Sequence, residues 1–208
     1  MGNFNHKPEL IVIAGPNGSG KTTVTTQFLH HEWSDGVMYI NPDQIAEDKF
    51  GGWNDRSAIL EAANYCADLR EKCLAEGISF VFETVFSAFD KIDFIRRAKA
   101  AGFFIRVFFI GTTSPTINAS RIAKRVIEGG HDVPITKIVS RYQKSMINCR
   151  IIAGTVDRLY VYDNSIDGQV AQILFRLNDG RLAKRYVDEM PRWADKILSE
   201  IGTSHKIM

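Results

Sequence analysis

One eight-residue segment constrains the fold of this chain more than any other feature: Gly15-Pro16-Asn17-Gly18-Ser19-Gly20-Lys21-Thr22. It matches the pattern G-x-x-x-x-G-K-[ST] at every fixed position, and it stands between an apolar run at residues 9–14 and a helical pattern. Glycines let such a loop curl until several backbone N–H groups point at phosphate oxygens, and the start of the following helix adds positive potential. The pattern therefore predicts a phosphate-binding loop between a buried strand and a helix.

Two side chains of this loop have their own part in nucleotide chemistry. Lys21 offers a mobile cation to the β- and γ-phosphates, and Thr22 offers a hydroxyl ligand to Mg²⁺. The alternative, a glycine-rich turn with a chance lysine, is disfavoured by the strand before the loop and the helix after it. A chain of 208 residues suits a small kinase better than a motor or a transporter ATPase.

Strand and helix patterns alternate along most of the chain. The strand patterns lie at residues 9–14, 37–40, 78–82, 104–110 and 159–162, and the helical patterns at 21–31, 58–76, 88–101, 115–128, 135–149 and 191–201, with a further helix beginning at Asn41-Pro42-Asp43. Residues 170–176 and 181–187 form a hairpin pattern. We therefore predict one α/β domain of the P-loop NTPase type over residues 1–208, with a mainly parallel five-stranded sheet flanked by helices. A helical lid is expected at about residues 115–149, and a C-terminal β-hairpin plus helix at about residues 169–203.

Composition excludes several classes of protein. Lys plus Arg total 26 and Asp plus Glu 24, a net charge of +2, which argues against a dedicated polyanion binder, so nucleic acid is not an expected partner. No apolar run is long enough to cross a membrane and residues 1–8 are polar, unlike a signal peptide, so we expect a soluble cytoplasmic protein with no membrane partner. Three cysteines form no disulfide framework, and Cys66 and Cys73 are expected in the core.

Polar residues follow the second, third and fifth strand patterns. If the third strand lies beside the first, Glu83 and Thr84 face the same crevice as the phosphate loop, and Asp43 opens onto it from the second strand. Carboxylates there can accept the proton of an acceptor hydroxyl or hold a metal or ligand, and two of them favour a sugar over a polyanionic acceptor. The alternatives are a first-turn aspartate favoured by the helix dipole for Asp43, and a side chain reaching solvent for Glu83. Asp163 is a competing carboxylate, expected further along the sheet, near the nucleotide base.

Three arginines stand on two predicted helices around a Gly-Gly pair. Arg121 and Arg125 are four residues apart on one helix, and Arg141 lies on the next. Phosphoryl transfer develops charge on the equatorial oxygens, which arginines on a lid can neutralise. The alternative for each is an ordinary solvated charge, but the grouping favours catalysis. We therefore predict that these three arginines act with Lys21 and Asp43 in a catalytic site.

Together these segments resemble the zeta-toxin family of P-loop kinases, in particular its compact single-domain bacterial members. The motifs that carry the resemblance span most of residues 9–165: residues 14–23, Asn41-Pro42-Asp43, Glu83-Thr84, residues 121–125 with 129–134, Arg141-Tyr142 and Tyr162-Asp163-Asn164-Ser165. The phosphate loop alone is shared by many families. Its combination with the Gly-Gly-His lid and the following Arg-Tyr pair is much more specific.

The resemblance implies a kinase that uses ATP and Mg²⁺ to phosphorylate the sugar 3′-hydroxyl of UDP-N-acetylglucosamine, thereby blocking cell-wall synthesis. By matching position it implies that Asp43 is the base and that Lys21, Arg125 and Arg141 attend the transferring phosphate.

The resemblance also implies the binding residues. ATP would lie on the loop and on Thr23 just after it, with the adenine bordered by Asp163-Asn164-Ser165. Glu83 and Thr84 would hold the sugar or its diphosphate. A separate antitoxin protein would be a partner.

Two other functions remain open on the sequence. One is a kinase with a different acceptor, such as a nucleic-acid 5′-hydroxyl, a nucleoside or an antibiotic. A polynucleotide acceptor would require a basic groove with aromatic rings for stacking, whereas the basic residues of this chain are scattered. The other is a non-catalytic module in which ATP controls a partner, which would need no acceptor base such as Asp43. A small-molecule kinase acting on a nucleotide sugar is the leading prediction.

Overall fold

Alternating strands and helices form the framework of the chain, whose computed structural model describes residues 7–28, 36–52, 56–130 and 133–204. The strands are β1 (Glu9–Ala14), β2 (Met38–Ile40), β3 (Phe80–Thr84), β4 (Phe104–Gly111), β5 (Arg158–Asp163), β6 (Gln172–Asn178) and β7 (Arg181–Arg185). The helices are α1 (Lys21–Phe28), α2 (Pro42–Phe50), α3 (Arg56–Glu76), α4 (Asp90–Ala100), α5 (Pro115–Ile127), α6 (Ile135–Ile152) and α7 (Arg192–Ser204).

The strands lie side by side in one sheet, in the order β2-β3-β1-β4-β5-β6-β7. The first five of these are parallel, and β1 lies between β3 and β4, so the third strand lies beside the first, the arrangement that the expected position of Glu83 and Thr84 requires. At the carboxyl end of β1, Ala14 pairs with Thr84 on one side and with Phe109 on the other. The loop that leaves β1 at Gly15 is therefore flanked by the ends of both neighbouring strands.

The prediction of a five-stranded sheet with a separate hairpin is wrong in one respect, because β6 and β7 extend the same sheet to seven strands. Strand β6 pairs antiparallel with β5, and β7 pairs antiparallel with β6. Leu174, Phe175 and Leu177 of β6 are at most 1% exposed and pack in the main core. Burial of these side chains draws the hairpin onto the sheet, and the pairing covers backbone groups that an open β5 edge would leave unpaired.

Most predicted element boundaries hold within three residues. Helix α2 begins as its sequence indicates, because the Asn41 side chain accepts hydrogen bonds from two first-turn N–H groups at 2.9 and 3.4 Å. Helix α6 continues past the predicted residue 149 because Ile152 is buried in the core. The predicted end of the first helix, at residue 31, lies outside the described residues, as do His131 and Asp132 of the predicted lid.

Apolar layers cover both faces of the sheet. The larger layer packs α3, α4, α6 and α7 against one face, and the smaller layer includes Val24 of α1 on the other. The strands are therefore apolar on both sides, as expected for a parallel sheet between helices. Cys66 and Cys73 lie in the larger layer as predicted, and burial raises the pKa of the Cys66 thiol to about 11. No helix in the described part of the chain is both long enough and apolar enough to span a membrane.

Helix α7 is anchored by Trp193, whose ring lies against Gly111 at the end of β4. A Cβ atom at position 111 would lie 2.4 Å from the Trp193 ring. We therefore expect Gly111→Ala to lower the free energy of unfolding by about 1–3 kcal/mol, the usual range for overpacking. The matched control is Gly154→Ala, because a Cβ atom there would meet no other atom within 4 Å. Urea denaturation followed by circular dichroism measures both, and equal stability of the two variants would contradict the anchoring contact.

Candidate functional site

The loop between β1 and α1 turns at three glycines. Gly15, Gly18 and Gly20 have φ angles of 153°, 73° and 86°, a region that residues with a side chain rarely adopt. Space is also limited, because a Cβ atom would lie 2.2 Å from the Ile110 carbonyl oxygen at Gly15 and 2.2 Å from the Asn164 side chain at Gly20. Conformation and close packing therefore both require glycine in this loop.

Two asparagines from outside the motif hold the loop. The side-chain amide of Asn118, on α5, donates to the carbonyl oxygen of Asn17 (2.6 Å), and that of Asn164, just after β5, donates to the carbonyl oxygen of Ser19 (2.9 Å). Asn118 is fully buried and also accepts a hydrogen bond from the Thr112 hydroxyl. These bonds occupy two loop carbonyl oxygens, whose partial negative charge would otherwise repel an approaching phosphate.

Lys21 begins α1 and is almost entirely buried, with 8% of its surface exposed. Its Nζ donates to the carbonyl oxygen of Pro16 within the loop (3.2 Å). Burial holds the pKa of Lys21 below its usual range; the carboxylates of Glu83 and Asp43 oppose this shift, and the guanidinium of Arg125 adds to it. Two predicted carboxylates and one predicted arginine therefore lie within electrostatic reach of this lysine.

Glu83, at the end of β3, is held in place by two hydroxyl groups. The Tyr39 hydroxyl donates to Glu83 Oε2 (2.9 Å), and the Thr25 hydroxyl lies 3.4 Å from the same oxygen. The side-chain amide of Asn41 donates to the Tyr39 hydroxyl (3.0 Å). Burial and the nearby Glu83 charge raise the pKa of Tyr39, which keeps its hydroxyl protonated as a donor. Glu83 is thus a half-buried member of a network and not a side chain that simply reaches solvent.

The other two predicted acceptor-binding residues have different surroundings. Asp43 is exposed in the first turn of α2. The Thr84 hydroxyl accepts a hydrogen bond from the backbone N–H of Phe86 (3.1 Å), and the Thr84 carbonyl oxygen accepts one from the N–H of Gly15 (3.3 Å). Thr84 therefore links the third strand to the start of the phosphate loop.

One predicted arginine bonds to the phosphate loop, and the charge of a second acts on Lys21. The guanidinium of Arg141, on α6, donates to the side-chain oxygen of Asn17 (3.3 Å). Arg125 is exposed near the end of α5, and its charge acts on Lys21. The structure thus joins the arginine of α6 to the loop by a hydrogen bond, and the arginine of α5 acts on Lys21 through its charge.

The third predicted arginine, Arg121, turns to the segment after β5. Its guanidinium donates to Asp167 (2.6 Å) and to the backbone carbonyl oxygen of Asn164 (2.7 Å). Asp163 begins the same segment, two strands away from β1 as expected; burial raises its pKa, against a hydrogen bond from Ser165. Arg121 therefore ties α5 to the segment that carries the loop-holding Asn164.

Thr22 and Thr23 lie in the first turn of α1 with exposed side chains. Mg²⁺ prefers oxygen ligands and keeps several waters, so one threonine hydroxyl beside a phosphate loop fits its needs without a cage of carboxylates. Within residues 7–28, 36–52, 56–130 and 133–204 there is no group of three or more His, Cys, Asp or Glu side chains placed to hold a metal. The residues present therefore fit a magnesium ion bound mainly through nucleotide and water.

The sequence did not predict the residues that hold the phosphate loop and Glu83 in place. Asn118 stands four residues before Ile122 on α5, so both lie on the same buried face of the helix. Because a polar residue on such a face needs a hydrogen-bond partner, the sequence pattern could have indicated that Asn118 holds another segment. Tyr39 and Thr25 offer no such signal. Their contact with Glu83 exists only because α1, β2 and β3 meet in the folded chain.

Replacement of Asn118 tests whether the loop depends on its side chain. Asn118→Ala removes the donor to Asn17 and leaves buried polar groups without a partner, so we expect a loss of stability of about 1–3 kcal/mol and about tenfold weaker nucleotide binding. Calorimetric titration with ATP and thermal unfolding measure the two effects. Asn64→Ala, at an exposed position of α3, is the control. Unchanged nucleotide affinity in Asn118→Ala would show that the loop keeps its shape without this bond.

Solved structures share this architecture. One is the AvrRxo1-ORF1:AvrRxo1-ORF2 complex with ATP, with a TM-score of 0.63 and 19% identity over 94% of this chain and 63% of the matched chain. Another comes from the PezAT chromosomal toxin–antitoxin system of Streptococcus pneumoniae, with a TM-score of 0.61 and 15% identity over 96% of this chain and 86% of the matched chain. The chain spans less than two thirds of the AvrRxo1 chain that it matches. At these identities the likeness shows the fold, that of an α/β P-loop kinase.

Two sequence matches indicate the family to which the chain belongs. An uncharacterized protein of Haemophilus influenzae is 32% identical over 133 residues, which cover 64% of this chain and 91% of the relative. The family model of the zeta toxins matches residues 3–171, a range that holds the phosphate loop and every predicted site residue. This match, with the complete phosphate loop, supports an ATP-dependent kinase. The chain belongs to the zeta-toxin family.

Proposed function

We propose that this chain is a kinase that transfers the γ-phosphoryl group of ATP to a sugar hydroxyl of a nucleotide sugar, with UDP-N-acetylglucosamine as the leading acceptor. The observation that carries the proposal is the setting of Lys21. This lysine is buried at a glycine loop, within electrostatic reach of two carboxylates and an arginine. A site that only bound nucleotide would need the loop and the lysine but not the exposed carboxylate of Asp43, whose charge acts on Lys21.

In the proposed reaction the acceptor hydroxyl oxygen attacks the γ-phosphorus, and the bond from that phosphorus to the bridging oxygen of ADP breaks. Asp43 accepts the hydroxyl proton, for which its exposed position at the start of α2 is suitable. Lys21 and the loop N–H groups hold the phosphates, and Thr22 would contribute a hydroxyl to the coordination of Mg²⁺. When bound, Mg²⁺ neutralises charge on the phosphate oxygens.

Arg125 and Arg141 are the proposed partners of the transferring phosphoryl group. Arg141 is bonded to the loop residue Asn17, and the charge of Arg125 acts on Lys21, so both are near the phosphate side of the crevice. Arg121, bonded to Asp167, is better suited to holding the segment with Asn164, which is proposed to border the adenine. We therefore assign Arg121 an indirect part in catalysis, through the position of that segment.

Glu83 and Thr84 are proposed to hold the acceptor. Both hydroxyl contacts of Glu83 are made to Oε2, so in the described residues Oε1 is left to accept a hydrogen bond from a sugar hydroxyl. Thr84 accepts a hydrogen bond from Phe86 and keeps its own hydroxyl proton for a ligand. The half-buried position of both residues suits a small acceptor held at the ends of the strands.

The biological setting is proposed from the family. The zeta-toxin match and the toxin–antitoxin origin of the PezAT structure support a separate antitoxin protein as a partner. The structure of AvrRxo1-ORF1:-ORF2 with ATP supports ATP as the nucleotide. We propose a cytoplasmic location, because ATP and nucleotide sugars are both present in the cytoplasm.

An acceptor panel tests the proposal. The protein is incubated with ATP, Mg²⁺ and either UDP-sugars, nucleosides, aminoglycosides or 5′-hydroxyl oligonucleotides, and new phosphate is detected by mass spectrometry. We expect transfer to UDP-N-acetylglucosamine, because paired carboxylates accept hydrogen bonds from sugar hydroxyls. Transfer should be lost in Asp43→Asn and Lys21→Ala, and kept in Asp48→Asn, which changes an exposed aspartate of the same helix.

Each other outcome of this panel is informative. Labelling of only an oligonucleotide or another compound would keep the chemistry and overturn the acceptor. ATP binding without any transfer would favour a regulatory nucleotide-binding module.

Two arginine variants test the charge of the transition state. Arg125→Ala and Arg141→Ala should each lower kcat by about 10²–10³, because a preorganised donor to developing charge is worth that much. ATP affinity should change far less, as measured by calorimetric titration beside the kinetics. Lys144→Ala, an exposed residue of α6, is the control. Equal losses in affinity and in kcat would show that the arginines bind ground-state ATP instead.

A further inference from the structure

Phe86, two residues after β3, has a backbone conformation that is rare for a bulky residue. Its φ angle is 59°, in the left-handed region that favours glycine. In the described part of the chain the other residue besides glycine with a positive φ is Asp179, which lies in the turn between β6 and β7, where aspartate is common. Phenylalanine offers no such polar side chain, so the surrounding structure has to hold Phe86 in this conformation.

Three contacts hold Phe86 in place. Its side chain is fully buried in the main core. Its N–H donates to the hydroxyl oxygen of Thr84 (3.1 Å), and its carbonyl oxygen accepts a hydrogen bond from the side-chain amide of Asn148, on α6 (2.9 Å). Asn148 is itself 8% exposed, so this bond is shielded from competing water. Asn148 therefore supplies a protected polar contact between the strained residue and a distant helix.

The conformation of Phe86 decides what the Thr84 hydroxyl can do. Because the oxygen of this hydroxyl accepts the Phe86 N–H, its own proton is left to donate to a ligand. The Thr84 carbonyl oxygen accepts a hydrogen bond from the N–H of Gly15, and Glu83 is the residue before Thr84. A relaxed Phe86 would turn its N–H away from Thr84 and shift the end of β3. Phe86 therefore controls the segment that carries both proposed acceptor-binding residues.

Helix α6 reaches the ends of three neighbouring strands. In its first half, Tyr142 donates to the carbonyl oxygen of the residue directly after β4 (2.6 Å), and Arg141 donates to the loop after β1 (3.3 Å). In its second half, Asn148 donates to Phe86, after β3. These strands are adjacent in the order β3-β1-β4, so α6 lies across their carboxyl ends. One helix therefore ties the acceptor segment, the phosphate loop and the end of β4 together.

Arg141 and Asn148 lie on one side of this helix. They are seven residues apart, which is about two turns and roughly 10 Å along the axis. The helix thus keeps the anchor of the acceptor segment at a fixed distance from a proposed phosphate-binding arginine. Ser145 lies between the two and is fully buried, and its hydroxyl oxygen has no hydrogen-bond partner among the described residues. It is therefore a matched position without a contact to Phe86.

We infer that Asn148 is a positioning residue for the acceptor. By holding Phe86 in its left-handed conformation, it fixes the end of β3 relative to the phosphate loop and to Arg141. Backbone strain of this kind persists where the surrounding structure enforces it, and it is concentrated at functional sites. The inference rests on the proposed function for the part played by Glu83 and Thr84, and it adds how the fold sets their position.

Kinetics of Asn148→Ala test this inference. We expect kcat/KM for UDP-N-acetylglucosamine, or for the acceptor that the panel identifies, to fall about 10- to 100-fold, because a misplacement of about 1 Å costs that much. ATP affinity, measured by calorimetric titration, should change far less, since the phosphate loop keeps its bonds to Asn118 and Asn164. Ser145→Ala is the control and should behave like the unchanged protein. All measurements are made at a temperature at which circular dichroism shows each variant to be folded.

Hydrogen exchange provides a second measurement that needs no acceptor. We expect the backbone N–H of Phe86 to exchange about tenfold faster in Asn148→Ala than in the unchanged protein, because the turn loses a hydrogen bond that holds it. Ser145→Ala should leave this exchange rate unchanged. If Asn148→Ala does not fold, Asn148→Ser replaces it; this shorter side chain keeps a polar group but cannot reach the Phe86 carbonyl oxygen, so the same losses are expected.

Four results would overturn the positioning role. They are an unchanged kcat/KM in Asn148→Ala, an equal fall in ATP affinity and kcat/KM, an equal loss in Ser145→Ala, and unchanged exchange at Phe86. If UDP-N-acetylglucosamine is phosphorylated with an unchanged kcat/KM in Asn148→Ala, the positioning role fails and the proposed function stands. If no compound of the panel is phosphorylated yet exchange at Phe86 depends on Asn148, the acceptor proposal fails and Asn148 still holds the end of β3.

Discussion

The close approach between the phosphate loop and the carboxyl ends of the central strands is the constraint on which the rest of the structure depends. At Gly15 the loop backbone runs against the carbonyl of Ile110, and at Gly20 it runs against the Asn164 side chain. Any side chain at these glycines would push the loop away from β4 and from the segment after β5. Tight contact is what allows Asn118 and Asn164 to reach the loop carbonyl oxygens and fix the curl of the backbone.

Helix α5 connects this bracing to the charged groups of the site. Asn118, Arg121 and Arg125 are three and four residues apart, so they follow one another along one side of the helix. In that order they hold the loop, tie the segment after β5, and bring positive charge to Lys21. A shift of α5 would therefore alter the shape of the loop and the electrostatics at Lys21 together.

Charge balance in the crevice follows from burial. Lys21 is nearly sealed, and its pKa is lowered by burial and Arg125 but supported by Glu83 and Asp43. Tyr39 and Thr25 hold one oxygen of Glu83, so that carboxylate keeps its place without an ion pair of its own. In the proposed function the phosphates of ATP would add negative charge beside Lys21.

The sequence by itself determined the phosphate loop, the alternation of strands and helices, the cap of α2 at Asn41 and most candidate residues. These are local features: glycine conformations, hydrophobic periodicity and capping are set by residues a few positions apart. Its resemblance to the zeta toxins also indicated the family that the match of the family model to residues 3–171 then established.

Only the tertiary structure decided how distant segments meet. It placed the hairpin on the sheet, turned Arg121 to Asp167, joined Tyr39 to Glu83, and set Arg70 over two phenylalanine rings. Each of these contacts joins residues at least 12 positions apart in the chain or depends on which strands are neighbours. The physical reason is that burial and hydrogen bonding are satisfied by whichever groups the fold brings together, and local patterns contain no record of that choice.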